Sequence, residues 1–475
     1  MIDLLCLLLD KMVRAPVSFV CLFAPGTQSK TNMAERGQRF PCQLNSKRGL
    51  LISSISILHL LLPTGAFTSL GVARGLTVSP IKSMSGSASV DEIVEGAPKR
   101  VVIAGAGVIG LSTAYYLKER YGVASTLVDP SGEVAPAASG KAGGFLALDW
   151  NDYSPVGQLA RRSFDLHQEL ANKLGAENLQ YRRLTCASIS VNSAVAASRP
   201  KGKKLQGVEW AGDDQDSSAV LGMRPLGDED SIAQVHPKRL CENLWNAMSQ
   251  TEGDDGAKLV RGKVSGPVHT EDGKLLGVRL EDGNVLDADA VVFACGPWTA
   301  NVMTGVKYHS VVIPTPKVLS QCVFFSGCGD PEVYVRPDST AYCTGFPDGE
   351  VRVTEEPGHE EVRPEAVDRI VESVRAASGS DRGSALHAEP TLSQACYLPT
   401  TPDGLPMMGK LPKSVVGGDG CFVATGHSCW GILLGPATGE SMATLIATGN
   451  PSSHVDMRPY DPSRFGQALS ILESL

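Results

Sequence analysis

Residues 99–132 read KRVVIAGAGVIGLSTAYYLKERYGVASTLVDPSG. Val101 to Ala104 has the length and composition of a buried strand, and glycines follow at once at positions 105, 107 and 110. Leu111 to Tyr121 then reads as a helix, and STLVDP as a second strand ending at Asp129. Strand, G-x-G-x-x-G turn, helix, strand and terminal carboxylate in this order make the βαβ unit that holds a dinucleotide. Gly105 allows the tight turn, Gly107 lets backbone approach a pyrophosphate, and Gly110 lets the helix lie close to the strand. The helix N-terminus adds free N–H groups and about half a positive charge for phosphate. Asp129 is spaced to accept from an adenosine ribose and to disfavour a 2′-phosphate. The unit does not separate NAD from FAD, whose ADP halves are the same.

Around this unit, composition sets the bounds. The chain has 475 residues, 42% hydrophobic and 20% charged, as expected of a globular protein with two to three domains' worth of core. A net charge of −8 and the lack of any Lys/Arg block argue against nucleic acid as a partner. Of 12 cysteines, nine follow residue 97; none forms a C-x-x-C pair, which points to free thiols and no metal site.

Residues 1–97 read as a targeting leader. GLLISSISILHLLLP (49–63) follows Arg36, Arg39, Lys47 and Arg48, as the apolar core of a signal peptide does. After Phe67 the chain is rich in Ser and Gly, with Arg74 and Lys82 and no acid until Asp91, a transit-peptide composition. The two parts together resemble the bipartite plastid leaders of algae with complex plastids; a mitochondrial leader is the alternative. No later stretch is long and apolar enough to span a membrane.

Three more stretches decide between the cofactors. APAASGKAGGFLALDW (135–150) is a small-residue loop, DADAVVFACGPWTANV (287–302) a buried strand ending in Gly-Pro-Trp, and ATGHSCWGILLGPATGESMATLI (424–446) a glycine-studded loop and helix. With CYLPTTPDGLPMMG (396–409), they resemble the FAD proteins of the D-amino-acid oxidase, glycine oxidase and sarcosine oxidase superfamily, from about residue 98 to 450. SGKAGGFLALDW itself resembles a little-characterised branch of oxidoreductases in fungi and plants.

The resemblance implies an α/β fold in which a Rossmann-like FAD-binding domain (98–155, 231–310, 391–450) interleaves with an antiparallel-sheet substrate domain (156–230, 311–390), ahead of a C-terminal tail (451–475). It implies FAD contacts at Gly105, Gly107, Val108, Ile109 and Gly110, at Asp129, and at Ser139, Gly140, Lys141, Ala142, Gly143 and Gly144. Further contacts are implied at Val264, Ala294, Gly296, Trp298 and Cys396, and at Gly426, His427, Gly431, Ile432 and Leu433. The glycines of 426–439 are expected to let backbone N–H groups close on the flat flavin ring. Cys396 stands seven residues before Asp403, where sarcosine-oxidase relatives bond a cysteine to the flavin; a buried free thiol is the other reading.

Local patterns fill in the rest. Ser154-Pro155 suggests a helix start, His236 a structural turn residue, and 258–294 a β-meander with hairpin turns at Asp272-Gly273 and Asp282-Gly283. Residues 311–355 alternate as strands, 364–377 suggest an exposed helix, and 196–218 and 376–386 suggest loops.

The resemblance weakens at the substrate anchors. Relatives place an arginine before the proline where this chain has Leu398, and a cation a few residues after the Gly-His pair, where it has Ser428, Cys429 and Trp430. Lys141, Arg336 and Arg352 remain as cations, and His427 as a residue tuning the flavin or substrate. Trp298 and Trp430 are candidate pocket walls. The expected function is oxidation of a C–N bond in a small amine or amino-acid-like substrate. The alternative is a flavin-binding assembly or trafficking factor with little turnover.

Overall fold

The computed structural model describes residues 97–191, 208–211, 220–250, 256–326, 329–379 and 383–472. The expected leader, and most of the expected 196–218 loop, lie outside them.

Val101–Ala104 forms β1, hydrogen-bonded in parallel to β2 (Ser125–Asp129) on one side and β12 (Ala290–Phe293) on the other. β8 (Lys258–Arg261) extends the sheet beyond β2, β20 (Cys421–Thr425) extends it beyond β12, and antiparallel β19 (Met407–Lys410) closes that edge. All four residues of β1 are buried because both faces of the sheet are covered. Val101 and Ile103 share a core with helices α1 (Val108–Tyr121), α2 (Gly157–Leu174), α3 (Pro237–Ser249) and α5 (Gly431–Thr448). Val102 and Ala104 pack against the three-stranded meander of β9 (Val264–His269), β10 (Leu275–Leu280) and β11 (Val285–Asp287).

The second large sheet has eight strands. Its order is β17 (Glu350–Val351), β13 (Thr304–Pro314), β16 (Thr340–Gly345), β15 (Glu332–Val335), β14 (Gln321–Ser326), β5 (Thr185–Val191) and β6 (Val220–Gly227), with β18 (Leu392–Thr400) also paired to β13. A small sheet of β3 (Phe145–Ala147), β7 (Ile232–Gln234) and β4 (Arg182–Arg183) completes the strands. Alternation along the eight-stranded sheet separates its two faces. Val311, Ile313, Val323, Val333, Val335 and Cys343 pack with Ile370 and Val374 of α4 (Pro364–Ser378). The opposite face carries Tyr308, Phe324, Glu332, Tyr334, Tyr342 and Cys396, directly paired as Tyr308–Cys396, Phe324–Glu332 and Tyr334–Tyr342.

Several local expectations are corrected. The meander spans only 264–287, because Lys258–Arg261 and Ala290–Phe293 are drawn into the parallel sheet. α4 buries a full stripe, so it is an amphipathic cover and not an exposed helix. α2 starts at Gly157; the Ser154 hydroxyl instead donates to Asn151 O at 2.9 Å within the preceding turn. β13 begins at Thr304 and β18 belongs to the eight-stranded sheet, so both fall across the expected divides at 311 and 391. Among the described residues, no helix is long and apolar enough to cross a membrane.

Candidate functional site

Sterics fix the glycine turn. Gly105 has φ +104°, and a Cβ there would lie 2.4 Å from Ala294 O. A Cβ on Gly110 would lie 2.2 Å from Gly105 O. The start of α1 follows directly, with no acid in its first turn, so its positive end is available to a phosphate. Ser139 reaches the same point: its Oγ accepts from Val108 N–H at 2.9 Å. The first helical turn and the 139–144 loop, distant in sequence, are thereby one surface that includes Gly107 and Ile109.

Asp129 is buried. It accepts from Ala106 N–H at 3.1 Å, Ser131 N–H at 3.0 Å and the Ser131 hydroxyl at 2.6 Å. It therefore ties the glycine turn to the end of β2 and still has acceptor capacity for a ribose hydroxyl. Val264 sits in the core beneath the sheet, which leaves only its backbone for a cofactor.

The 139–144 loop is small because its surroundings are close. A Cβ on Gly140 would meet Ala135 O at 2.2 Å, one on Gly143 the Tyr334 ring at 2.0 Å, and one on Gly144 Val235 O at 1.9 Å. Lys141, expected as a free cation, forms an ion pair with buried Glu360 and donates to Gly358 O at 3.1 Å. Its charge is already matched. Ala142 O accepts from Arg336, whose buried guanidinium lies over the Tyr342 ring at 5.5 Å and whose Nε has no protein partner.

The Gly-Pro-Trp turn meets the 424–431 loop. Thr425 donates its hydroxyl to Gly296 O at 2.7 Å, so Ala294 to Trp298 and Gly426 are neighbours. Trp298 Nε1 donates to Glu355 O at 2.8 Å and its ring lies edge-on to Tyr397, a packed position that supports the turn.

His427 is buried, its Nε2 is 3.0 Å from Thr438 Oγ1, and desolvation lowers its pKa to about 3. It clamps the loop to α5. The expectation for the glycines is corrected. Cβ atoms on Gly435 and Gly439 would meet Val108 and Ser112 of α1 at 2.9 and 2.4 Å, so these two serve helix packing. Gly426 (φ +80°) and Gly431 remain at the mouth, with Ile432 and Leu433 buried just behind. Ile432 O is held by His167 Nε2 of α2 at 2.9 Å, a buried contact that no sequence motif announces. Arg352 is exposed at the end of β17, which gives it no evident part in the site.

Beyond the loops stands the aromatic face of the eight-stranded sheet. Cys429 is solvent-accessible, yet burial and nearby Glu332 push its thiol up to about 12. Desolvation likewise raises Glu332 to about 6, and raises Tyr308 with Glu332 and Cys429 contributing. Glu332 and Tyr334 escaped the motif reading; the alternation in EVYVR (332–336) is the signal that points them to one face. Cys396 lies on this face too. Burial and Glu360 push its thiol up to about 12, although Lys141 works the other way.

That distribution makes a prediction for Cys396. A thiolate is scarce at such a value, so FAD is expected in the supernatant after acid precipitation. Colour retained in the pellet, and lost in Cys396→Ser, would reverse this.

A family model described as FAD dependent oxidoreductase (DAO) matches residues 100–445. A Schizosaccharomyces pombe protein named only as an oxidoreductase is 29% identical over 395 residues, covering 76% of this chain and 97% of its own. Glycine oxidase of Pseudomonas putida is 26% identical over 388 residues, covering 77% and 98%. Among solved structures, glycine oxidase of Geobacillus kaustophilus superposes with a TM-score of 0.59 at 22% identity, covering 77% of this chain and 99% of that one.

Proposed function

Since the chain belongs to the FAD-dependent oxidoreductase (DAO) family, we propose that it oxidises the C–N bond of a small amine or amino-acid-like substrate to an imine. One observation carries this reading. The glycine turn, the 139–144 loop and the mouth of α5 come together beside a sheet face that bears Glu332, Tyr308, Tyr334 and Cys396. The dinucleotide cradle fits FAD, since the tight turn leaves no room for a Cβ at Gly105 or Gly110 and Asp129 stands at the end of β2. Bound FAD supplies a two-electron acceptor that takes a hydride equivalent from the carbon next to nitrogen.

The protein's own residues position and desolvate the amine. On the sheet face beside the loops, Tyr334 hydrogen-bonds the Glu332 carboxylate among stacked aromatic rings. His427 is buried with Nε2 against the Thr438 hydroxyl, which ties the loop to α5. Glycine oxidase relatives support the amino-acid-like range of substrates. Leu398, paired with Val306, offers no cation for a carboxylate.

Anaerobic mixing of the FAD-loaded protein with a panel of amines and amino acids tests the reading. Bleaching of the flavin absorbance by at least one member is expected, with the matching aldehyde or ketone formed by imine hydrolysis. Folded, FAD-loaded protein that no panel member bleaches would overturn it and favour an assembly or trafficking role. The composition of residues 1–97 supports delivery to a plastid; a fluorescent fusion of that segment concentrated in mitochondria would redirect it.

A further inference from the structure

We propose that Arg336 is a positioning residue for flavin reduction: acting through the Ala142–Gly143 peptide, its charge makes bound FAD easier to reduce. The proposal rests on the reading above in which the 139–144 loop borders FAD, and not on which amine is oxidised.

Arg336 directly follows β15, in step with Glu332 and Tyr334, while Val335 packs on the opposite face. Its side chain thus belongs to the aromatic face. The residue is 6% exposed, and its guanidinium lies over the Tyr342 ring at 5.5 Å. Tyr342 is in turn stacked on Tyr334 at 5.8 Å. The same two rings press on the loop, since a Cβ on Gly143 would lie 2.0 Å from Tyr334 Cδ2 and 2.9 Å from Tyr342 Cδ1. From this position Arg336 Nη2 donates to Ala142 O at 3.3 Å.

The charge of Arg336 has no contact partner. Among the described residues it forms no ion pair, whereas Lys141 is paired with Glu360 and Lys307 with Glu355. Asp338, two residues on, accepts from Gln180 at 3.1 Å and from Thr340 at 2.6 Å, and acts on Arg336 only at a distance. A buried cation left in this state is favoured by any negative charge that develops nearby.

A trans peptide sends its C=O and N–H in opposite directions. With Ala142 O turned to Arg336, the Gly143 N–H points away from the guanidinium. Gly143 is buried, and its N–H has no acceptor among the described residues. Buried N–H groups are seldom left so. FAD held by this loop supplies that acceptor, and the negative charge it gains on reduction is then favoured by the peptide dipole with the guanidinium behind it. The neighbouring carbonyl offers a control. Lys141 O is held by a neutral side chain, with Gln394 Nε2 donating at 2.8 Å.

The midpoint potential of the FAD-loaded protein, measured anaerobically against a reference dye, tests this without a substrate. In Arg336→Gln the flavin–dye equilibrium is expected to shift at least about tenfold towards oxidised flavin, or about 30 mV for a two-electron couple. Arg336→Lys keeps the charge, and Gln394→Leu frees Lys141 O without altering charge. Both should stay within about threefold of the natural protein. An unchanged potential in Arg336→Gln with full FAD content would overturn the proposal. So would an equal shift in Gln394→Leu, because loop position would then explain the effect without charge. Should Arg336→Gln lose its flavin, Arg336→Lys decides: a shift beyond about threefold counts against the charge, and a smaller one supports it.

Failure of the underlying reading would look different. Gly143→Ala must displace the loop from Tyr334, so FAD content falls if the loop holds FAD. Normal content there removes the loop from the flavin site, and the proposal with it. A lowered potential in Arg336→Gln, in a protein that no amine bleaches, leaves Arg336 in its role and removes the oxidation.

Discussion

Gly105→Ala is expected to purify with less than a tenth of the FAD bound by the natural protein, if it stays soluble at all. Two independent costs meet at this residue. Its φ of +104° is outside the range that an L side chain adopts readily. The added Cβ would also lie 2.4 Å from Ala294 O and 2.8 Å from Ala294 C, both backbone atoms at the end of a central strand. Neither β1 nor β12 can give way alone, because Ala294 N–H bonds to Ala104 O at 2.8 Å and Gly105 N–H to Val128 O at 2.8 Å. The expected loss is roughly 3–5 kcal/mol, the range of the more severe single substitutions. It falls on the turn that would carry the pyrophosphate. The ratio of flavin to protein absorbance after gel filtration measures it, and a ratio near that of the natural protein would contradict the geometry. Gly122→Ala serves as the comparison: it also has positive φ, but a Cβ there would meet nothing within 4 Å, so FAD content should stay close to normal.

The contrast between these two glycines shows what the sequence discloses. The strand, turn and helix at 101–121 are legible because the constraint is local: spacing alone fixes which glycine faces the phosphate and which faces the strand. Gly435 and Gly439 look identical to Gly426 in a sequence, yet they are glycines because Ser112 and Val108 of a helix more than three hundred residues earlier press against them. Asp129 is legible as a ribose acceptor, while its grip on Ala106 N–H depends on how the turn folds back. Lys141 and His427 were legible as polar residues near the flavin, and what they do was hidden. The lysine is paired with Glu360, more than two hundred residues away, and the histidine is buried against Thr438, three turns along the same segment. Glu332 carries no motif at all. Its significance comes from register, which sets it on the face opposite the valines and across from Phe324.

Glu440→Ala is expected to lower the melting temperature by about 5 °C and to release FAD on heating before the bulk transition. Glu440 sits at 1% side-chain exposure on α5, where the Arg162 guanidinium of α2 grips it through Nε at 2.9 Å and Nη2 at 2.5 Å, and Arg120 of α1 adds a third contact. One carboxylate thus joins α1, α2 and α5, three of the four helices that cover this face of the sheet. Although burial opposes its charge, the hydrogen bonds from Arg162 and the charge of Arg120 hold its pKa below the usual glutamate value. Removing it leaves the two guanidiniums with only their more exposed partners, Glu169 for Arg162 and Glu119 for Arg120. Breaking a buried ion pair costs about 3 kcal/mol at the low end of the usual range, and the low end applies because Arg120 and Arg162 keep 30% and 21% exposure. For a chain of this size that loss corresponds to a few degrees.

The sign of the pH dependence follows from the depressed pKa. The stabilisation is fully present above the unfolded glutamate value of about 4.3 and is lost as pH falls through the lower folded value. The gap in melting temperature between the natural protein and Glu440→Gln should therefore be constant from pH 6 to 8 and shrink below about pH 4. A substitution at the exposed pair Lys263–Glu281, whose side chains are 64% and 56% exposed, should shift neither the midpoint nor FAD release. Equal shifts from both pairs would mean that general charge balance, and not the buried junction of α1, α2 and α5, holds the flavin half together.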